Sequence, residues 1–198
     1  MVATTLMQQK ILISVEEAIR AAQRLKSPEG MQFIEEAACM IAACYKNEGK
    51  ILVAGNGGSL CDAMHFCEEL TGLYRKKRPA LPAIALSDPG HMSCVGNDLG
   101  YDYVFSRGVE ALGKKGDVLA LLTTSGNSMN LVRAVEAARE KGLQIITFLG
   151  KTGGKLKGLA DLEWIVDGFT YSDRVQEVHM AAIHMIIEMV EEELFYAS

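Results

Sequence analysis

At 198 residues, 49% of them hydrophobic and 23% charged, the chain has apolar material for one sizeable core, and no stretch has the composition of a disordered tail or low-complexity linker. Twenty Lys and Arg against 25 Asp and Glu give a formal net charge of −5, which argues against nucleic acid or an anionic membrane surface as the main partner. No segment reaches the ~18 apolar residues that span a bilayer, and no N-terminal stretch reads as a secretory leader, so a soluble, cytoplasmic protein is expected.

Apolar residues at Ile11, Val15, Ala18, Ile19, Ala22 and Leu25 repeat with a helical period; after a Ser27-Pro28 start signal they resume at Ile34, Ala37, Ala38, Ile41 and Cys44. Two amphipathic helices therefore precede the first strand. They cover a sheet edge or pack against another subunit, and a homo-oligomer is expected. From residue 50 the pattern alternates. A strand over 50–54 runs into Gly55-Asn56-Gly57-Gly58-Ser59, which opens a helix over 59–71. In such a turn the glycines let the backbone approach an anion, the hydroxyl donates a hydrogen bond, and the free N–H groups of the helix supply positive potential.

On that helix His65 and Glu69, four residues apart, lie about 40° apart in projection and reach one ligand. An imidazole and a carboxylate at this spacing suit a divalent metal such as zinc, or an acid/base pair; an interior His beside a surface Glu is the plain alternative. Cys67 is about 200° round the helix from His65 and reads as core, and Cys61 as packing behind the loop. The basic run Arg75-Lys76-Lys77-Arg78 reads as a solvated loop outside the site.

A strand over 82–87, a helix over 101–112 and a strand over 117–122 follow. The last of these ends in Thr123-Thr124-Ser125-Gly126-Asn127-Ser128, a second hydroxyl-rich turn, which opens a helix over 129–141. A strand over 143–149, a glycine-rich link, a strand over 162–166 and a helix over 172–195 complete the chain. Short, continuously apolar strands separated by helices predict parallel crossovers. The fold expected is α/β, a three-layer sandwich around a central parallel sheet of about five strands. It forms a single domain over 1–198, with a helical extension over 1–48 and an α/β core over 49–198. In an open parallel sheet ligands collect beyond the carboxyl ends of the strands, where both hydroxyl-rich loops lie. Either loop alone reads as a tight βα turn; the pair implies a phosphate cradle.

In the last helix Gln176 and His184 are eight residues apart, about 80° beyond two full turns, so they flank one face and can complete a site begun by His65 and Glu69. A packed, hydrogen-bonded histidine is the alternative for His184, and His179 and His91 are left out. Five cysteines, Cys39, Cys44, Cys61, Cys67 and Cys94, are odd in number and fall mostly in apolar helical patterns, as small buried hydrophobes of a reducing compartment would.

The segments Gly55-Asn56-Gly57-Gly58-Ser59, Asp62-Ala63-Met64-His65-Phe66, Glu68-Glu69-Leu70-Thr71-Gly72, Gly96-Asn97-Asp98, Thr124-Ser125-Gly126-Asn127-Ser128 and Arg174-Val175-Gln176-Glu177-Val178-His179 together resemble the phosphoheptose isomerases over nearly the whole chain. The resemblance implies a flavodoxin-like sugar-isomerase (SIS) domain. It implies conversion of sedoheptulose 7-phosphate to D-glycero-D-manno-heptose 7-phosphate, on the way to the heptose of lipopolysaccharide or related surface glycans. It also implies one zinc per subunit and a homotetramer with sites at subunit contacts. Zinc is then expected on His65, Glu69, Gln176 and His184. Substrate is expected on Asn56, Gly57, Gly58, Ser59, Glu69, Asn97, Asp98, Thr123, Thr124, Ser125, Ser128, Asp173 and Gln176. Thr123 departs from the serine expected there, keeping the hydroxyl and adding a methyl, and Leu60 stands where relatives often carry His or a small residue.

Aldose–ketose isomerisation moves a proton between C1 and C2 through an enediol, so it needs a base at carbon, an acid at oxygen and stabilisation of the developing oxyanion. Glu69 is the expected base and His184 the partner acid/base, with Ser59, Thr124, Ser125 and Ser128 anchoring the phosphate. A zinc-bound carboxylate loses basicity. Either that bond loosens in turnover, or zinc polarises the substrate oxygens while another arrangement moves the proton. A rival class on the same fold is a non-catalytic binding protein resembling the bacterial factor that associates with the replication initiator. The glycine loop and the Arg174–His179 segment do not separate the two, whereas Glu69 with His184 does.

Overall fold

A computed structural model describes residues 5–196. Helices α1 (Leu6–Ala22) and α2 (Pro28–Lys46) lead into β1 (Ile51–Gly55), α3 (Gly58–Thr71), β2 (Ala83–Ala85), α4 (Pro89–Asp98), α5 (Val104–Leu112) and β3 (Val118–Thr123); α6 (Met129–Lys141), β4 (Gln144–Gly150), β5 (Leu162–Val166) and α7 (Ser172–Glu191) follow. The five strands form one parallel sheet in the order β2-β1-β3-β4-β5, the doubly wound flavodoxin-like order.

Every residue of β1 and β3 is buried, so these strands read as continuous apolar runs, as a sheet covered on both faces requires. The period of two then divides them between two cores. Ile51, Val53, Val118, Ala120 and Leu122 pack with Phe33 of α2, Phe66 of α3 and Ile183 of α7. Leu52, Ala54, Leu119 and Leu121 pack with Phe105 of α5 and Leu131 of α6. The β1–β3 register, with Ile51 opposite Val118 and Gly55 opposite Leu122, brings the carboxyl ends of both strands to one level.

The predicted strands and most helices appear with ends shifted by one or two residues, but several details differ. Helix α4 was not expected; Asp88 caps it, its Oδ1 accepting from the His91 N–H at 2.6 Å, and Pro89 occupies its first turn. The strand expected over 82–87 is the short edge strand Ala83–Ala85. The helix expected from 101 starts at Val104 behind a 3-10 turn, and the last helix gives way at Glu192 to a wider π turn. Cys44 and Cys67 are buried, but Cys39, Cys61 and Cys94 are exposed, so most cysteines are not core hydrophobes and Cys61 does not pack behind the loop. The apolar residues of α1 do not cover the sheet: Leu6, Met7, Ile11, Leu12, Ile13, Val15 and Ile19 are all exposed. No helix among the described residues is long and apolar enough to cross a membrane.

Candidate active site

Strands β1 and β3 are neighbours, and their following helices, α3 and α6, pack on opposite faces of the sheet. The chain therefore opens a crevice between them, at the switch point where open sheets bind ligands. Gly57 sits there at φ +57° and ψ −123°, a conformation that disfavours any side chain. At Gly58 a Cβ would stand 2.6 Å from Gln176 Nε2. That amide belongs to α7 and donates to the buried Ser59 Oγ at 3.3 Å. The second loop reaches the same helix, since Thr124 Oγ1 donates to Ser172 Oγ at 3.1 Å. The N-terminal ends of α3, α6 and α7 are thus drawn toward one region, and their free N–H groups make it attractive to an anion.

Within the second loop, Thr123 is buried and its Oγ1 accepts from the Gly126 N–H at 3.1 Å, while Ser125 Oγ accepts from the Asn127 N–H at 3.3 Å. Ser128 occupies the N-cap of α6 without a side-chain cap bond. Asn56 is held by a reciprocal amide pair with the buried Asn130, at 3.0 and 2.9 Å, and accepts from Tyr101 OH at 3.2 Å. Asn130 and Tyr101 escaped the sequence reading; each is one polar residue in a helical or turn pattern, with a partner 74 or 45 positions away.

Farther along α3 and α7 a second group forms. One ligand atom from each of His65, Glu69 and His184 lies within 4.8 Å of the others. His65 Nε2 is 3.3 Å from Glu69 Oε1 and 3.6 Å from Glu68 Oε1. The His184 ring meets His65 edge-on at 5.1 Å and stacks on Tyr74 at 5.8 Å. Burial lowers the His184 pKa below the usual histidine value, with His65 adding to the shift and Glu69 opposing it. Its imidazole is therefore neutral at neutral pH, as a metal ligand or a proton acceptor must be. Two imidazole nitrogens and one carboxylate oxygen match the donor set of a three-ligand zinc site with an open position, so these residues fit that ion.

Gln176 is bonded at the cradle, about 12 Å of helix rise from His184, and Ser59 is about 9 Å of rise from His65. Of the four expected metal ligands, His65, Glu69 and His184 lie together, and the side chain of Gln176 hydrogen-bonds Ser59. Asn97 and Asp98 sit exposed at the end of α4, bonded to each other at 2.7 Å, and Asp173 is exposed at the start of α7. Among the described residues these three make no hydrogen bond to the cradle. His91 pairs with the Val104 carbonyl at 2.9 Å. His179 is fully buried against the Leu149 carbonyl at 3.1 Å, and burial pushes its pKa down to about 4. The basic run is not uniformly solvated: the Arg78 side chain is 1% exposed and pairs with Glu191 at 2.8 Å.

The family model of the SIS domain matches residues 15–150. The chain is 60% identical over 161 residues to a phosphoheptose isomerase of Edwardsiella ictaluri, covering 81% of this chain and 83% of the relative. Its fold is similar to that of a phosphoheptose isomerase from Neisseria gonorrhoeae, at TM-score 0.85 and 38% identity, covering 94% of this chain and 99% of the other. It is also similar to one from Francisella tularensis, at TM-score 0.88 and 34% identity, covering 95% and 100%.

Proposed function

The chain belongs to the phosphoheptose isomerases of the SIS-domain fold, and on that premise we propose that it converts sedoheptulose 7-phosphate to D-glycero-D-manno-heptose 7-phosphate. The observation that carries this reading is the convergence of His65, Glu69 and His184 within 4.8 Å, on the same two helices whose N-terminal ends line the cradle. A phosphate at Gly57–Ser59 and reacting carbons at His65 are separated by about 9 Å of α3, a length that suits an extended seven-carbon phosphate.

Ser59, Thr124, Ser125 and Ser128 anchor the phosphate, with Asn56, Gly57, Gly58 and Thr123 shaping the loops around it. Gln176, Asn97, Asp98 and Asp173 serve the sugar hydroxyls. Glu69 takes the proton from C1 of the ketose, exchanges it with solvent and delivers a proton at C2, while the neutral His184 passes a proton between O1 and O2; general acid–base help of this kind supplies typically ~10²–10⁴-fold. Zinc held by His65, Glu69 and His184 would polarise the substrate oxygens as a Lewis acid. Because coordination lowers the basicity of a carboxylate and of an imidazole nitrogen alike, Glu69 and His184 would move protons only while not tightly held by the ion.

A cytoplasmic homotetramer with sites at subunit contacts completes the reading. The exposed apolar side chains of α1 and the exposed Asn97, Asp98 and Asp173 support it. The rival reading, a non-catalytic binding protein, is not favoured by relatives that share most of their length with this chain and are named as isomerases. Protein purified without chelator should carry zinc and form the aldose in a coupled assay on sedoheptulose 7-phosphate. Chelation should abolish turnover and added zinc restore it. Folded, zinc-loaded protein that leaves the ketose unchanged overturns the proposal.

A further inference from the structure

Helix α3 ends without the usual device for satisfying its last carbonyls. No basic residue lies in its last turn, and its C-cap Gly72 has φ −90° instead of a left-handed turn. The missing donors come from Arg78. Its Nη2 donates to the Glu69 carbonyl at 2.7 Å, and its Nη1 donates to the carbonyls of Leu70 at 2.6 Å, Gly72 at 3.4 Å and Pro79 at 3.1 Å. Its Nε donates to Glu191 Oε1 at 2.8 Å, at the end of α7. Both side chains are nearly inaccessible, at 1% and 4% exposure. The fork therefore grips the backbone of Glu69 itself and ties it to the helix that carries His184.

The neighbouring charges run the same way but stay at the surface: Arg75 pairs with Glu188 at 2.5 Å and Lys76 with Glu192 at 3.2 Å. Exposed pairs of this kind fix little. The segment between the end of α3 and Arg78 carries Tyr74, whose ring lies on His184. We propose that Arg78, braced by Glu191, is a positioning residue that sets the spacing of Glu69 and His65 on α3 against His184 on α7. This rests on the isomerase reading above, and the role depends on the planar fork: lysine can keep the charge opposite Glu191 but cannot span the carbonyls.

The test compares the native protein with Arg78→Lys, Glu191→Gln and the surface control Lys76→Ala. Metal affinity is read by competition with a chromophoric chelator, ligand geometry by the visible spectrum of the Co²⁺-loaded protein, and kcat and KM with sedoheptulose 7-phosphate. Outer groups that orient metal ligands typically change affinity by ~10–100-fold. Arg78→Lys should weaken metal binding by that order, alter the Co²⁺ bands and lower kcat, with KM within about threefold. Glu191→Gln should do the same to a smaller degree, and Lys76→Ala should match the native protein. Arg78→Lys and Glu191→Gln that bind metal within twofold of native, with native Co²⁺ bands, overturn the proposal even if they melt earlier. If Arg78→Lys does not fold, Glu191→Gln decides alone by the same criteria. Native protein that takes up no metal and turns over no ketose refutes the isomerase reading instead.

Discussion

Ser59 and Glu69 lie on one helix but at its two ends, the first bonded at the cradle and the second beside two imidazoles, so substitutions there should separate anchoring from chemistry. Ser59→Ala should raise KM more than it lowers kcat; the opposite split would mean that anchoring is used in the transition state. His179 gives a second handle at this scale. Its pKa falls from 6.5 to about 4 on burial, so the folded protein binds fewer protons than the unfolded chain between those values. The stability it contributes is complete above pH ~6.5 and is lost as pH falls toward 4, by up to ~3 kcal/mol. Urea unfolding of the native protein and His179→Asn should show this as a steeper loss for the native protein between pH 6.5 and 4.5; equal slopes would contradict it. Helical spacing made His65, Glu69 and His184 legible as candidates. It could not reveal Asn130 or Arg78, because Asn56 lies 74 positions from the first and Glu191 lies 113 from the second, and only the fold brings them together.

Among the elements, the central strands were legible because β1 and β3 are short apolar runs buried on both faces, and β4 is buried from Ile145 onward. Helix α4 was not: Pro89-Gly90-His91 reads as a turn, and the helix holds only one buried residue, Val95, so its apolar stripe is too weak to show a period. The loop after β3 shows the limit of composition in another way. Its Gly126, at φ +66°, would place a Cβ 1.8 Å from the Gly153 carbonyl oxygen. Only packing against the glycine-rich link after β4 reveals that constraint. Gly126→Ala combines a left-handed backbone with a backbone clash, so it should cost at least ~2–3 kcal/mol and also raise KM through the displaced Ser125. Chemical denaturation checks the first, and a loss under ~0.5 kcal/mol would contradict it.

At the scale of the whole molecule, the period of α1 marked it as amphipathic but did not say what its apolar face meets. In one chain that face, from Leu6 to Ile19, stands in solvent, and so many apolar side chains on one helix mark an interaction surface. Sedimentation velocity should give about four times the 21.5 kDa chain, and Ile11→Asp with Leu12→Asp should dissociate it and reduce turnover; a native monomer with full activity would contradict the assembly. The separation of cradle and triad along α3 and α7 bears on the reaction itself. Turnover of sedoheptulose 7-phosphate in D₂O tests that arrangement most directly, with native protein beside Glu69→Gln and His184→Gln. The account predicts an aldose carrying solvent deuterium at C2 from the native protein and ~10²-fold or greater losses of turnover in both variants. Native rates and deuterium incorporation in both variants would contradict it.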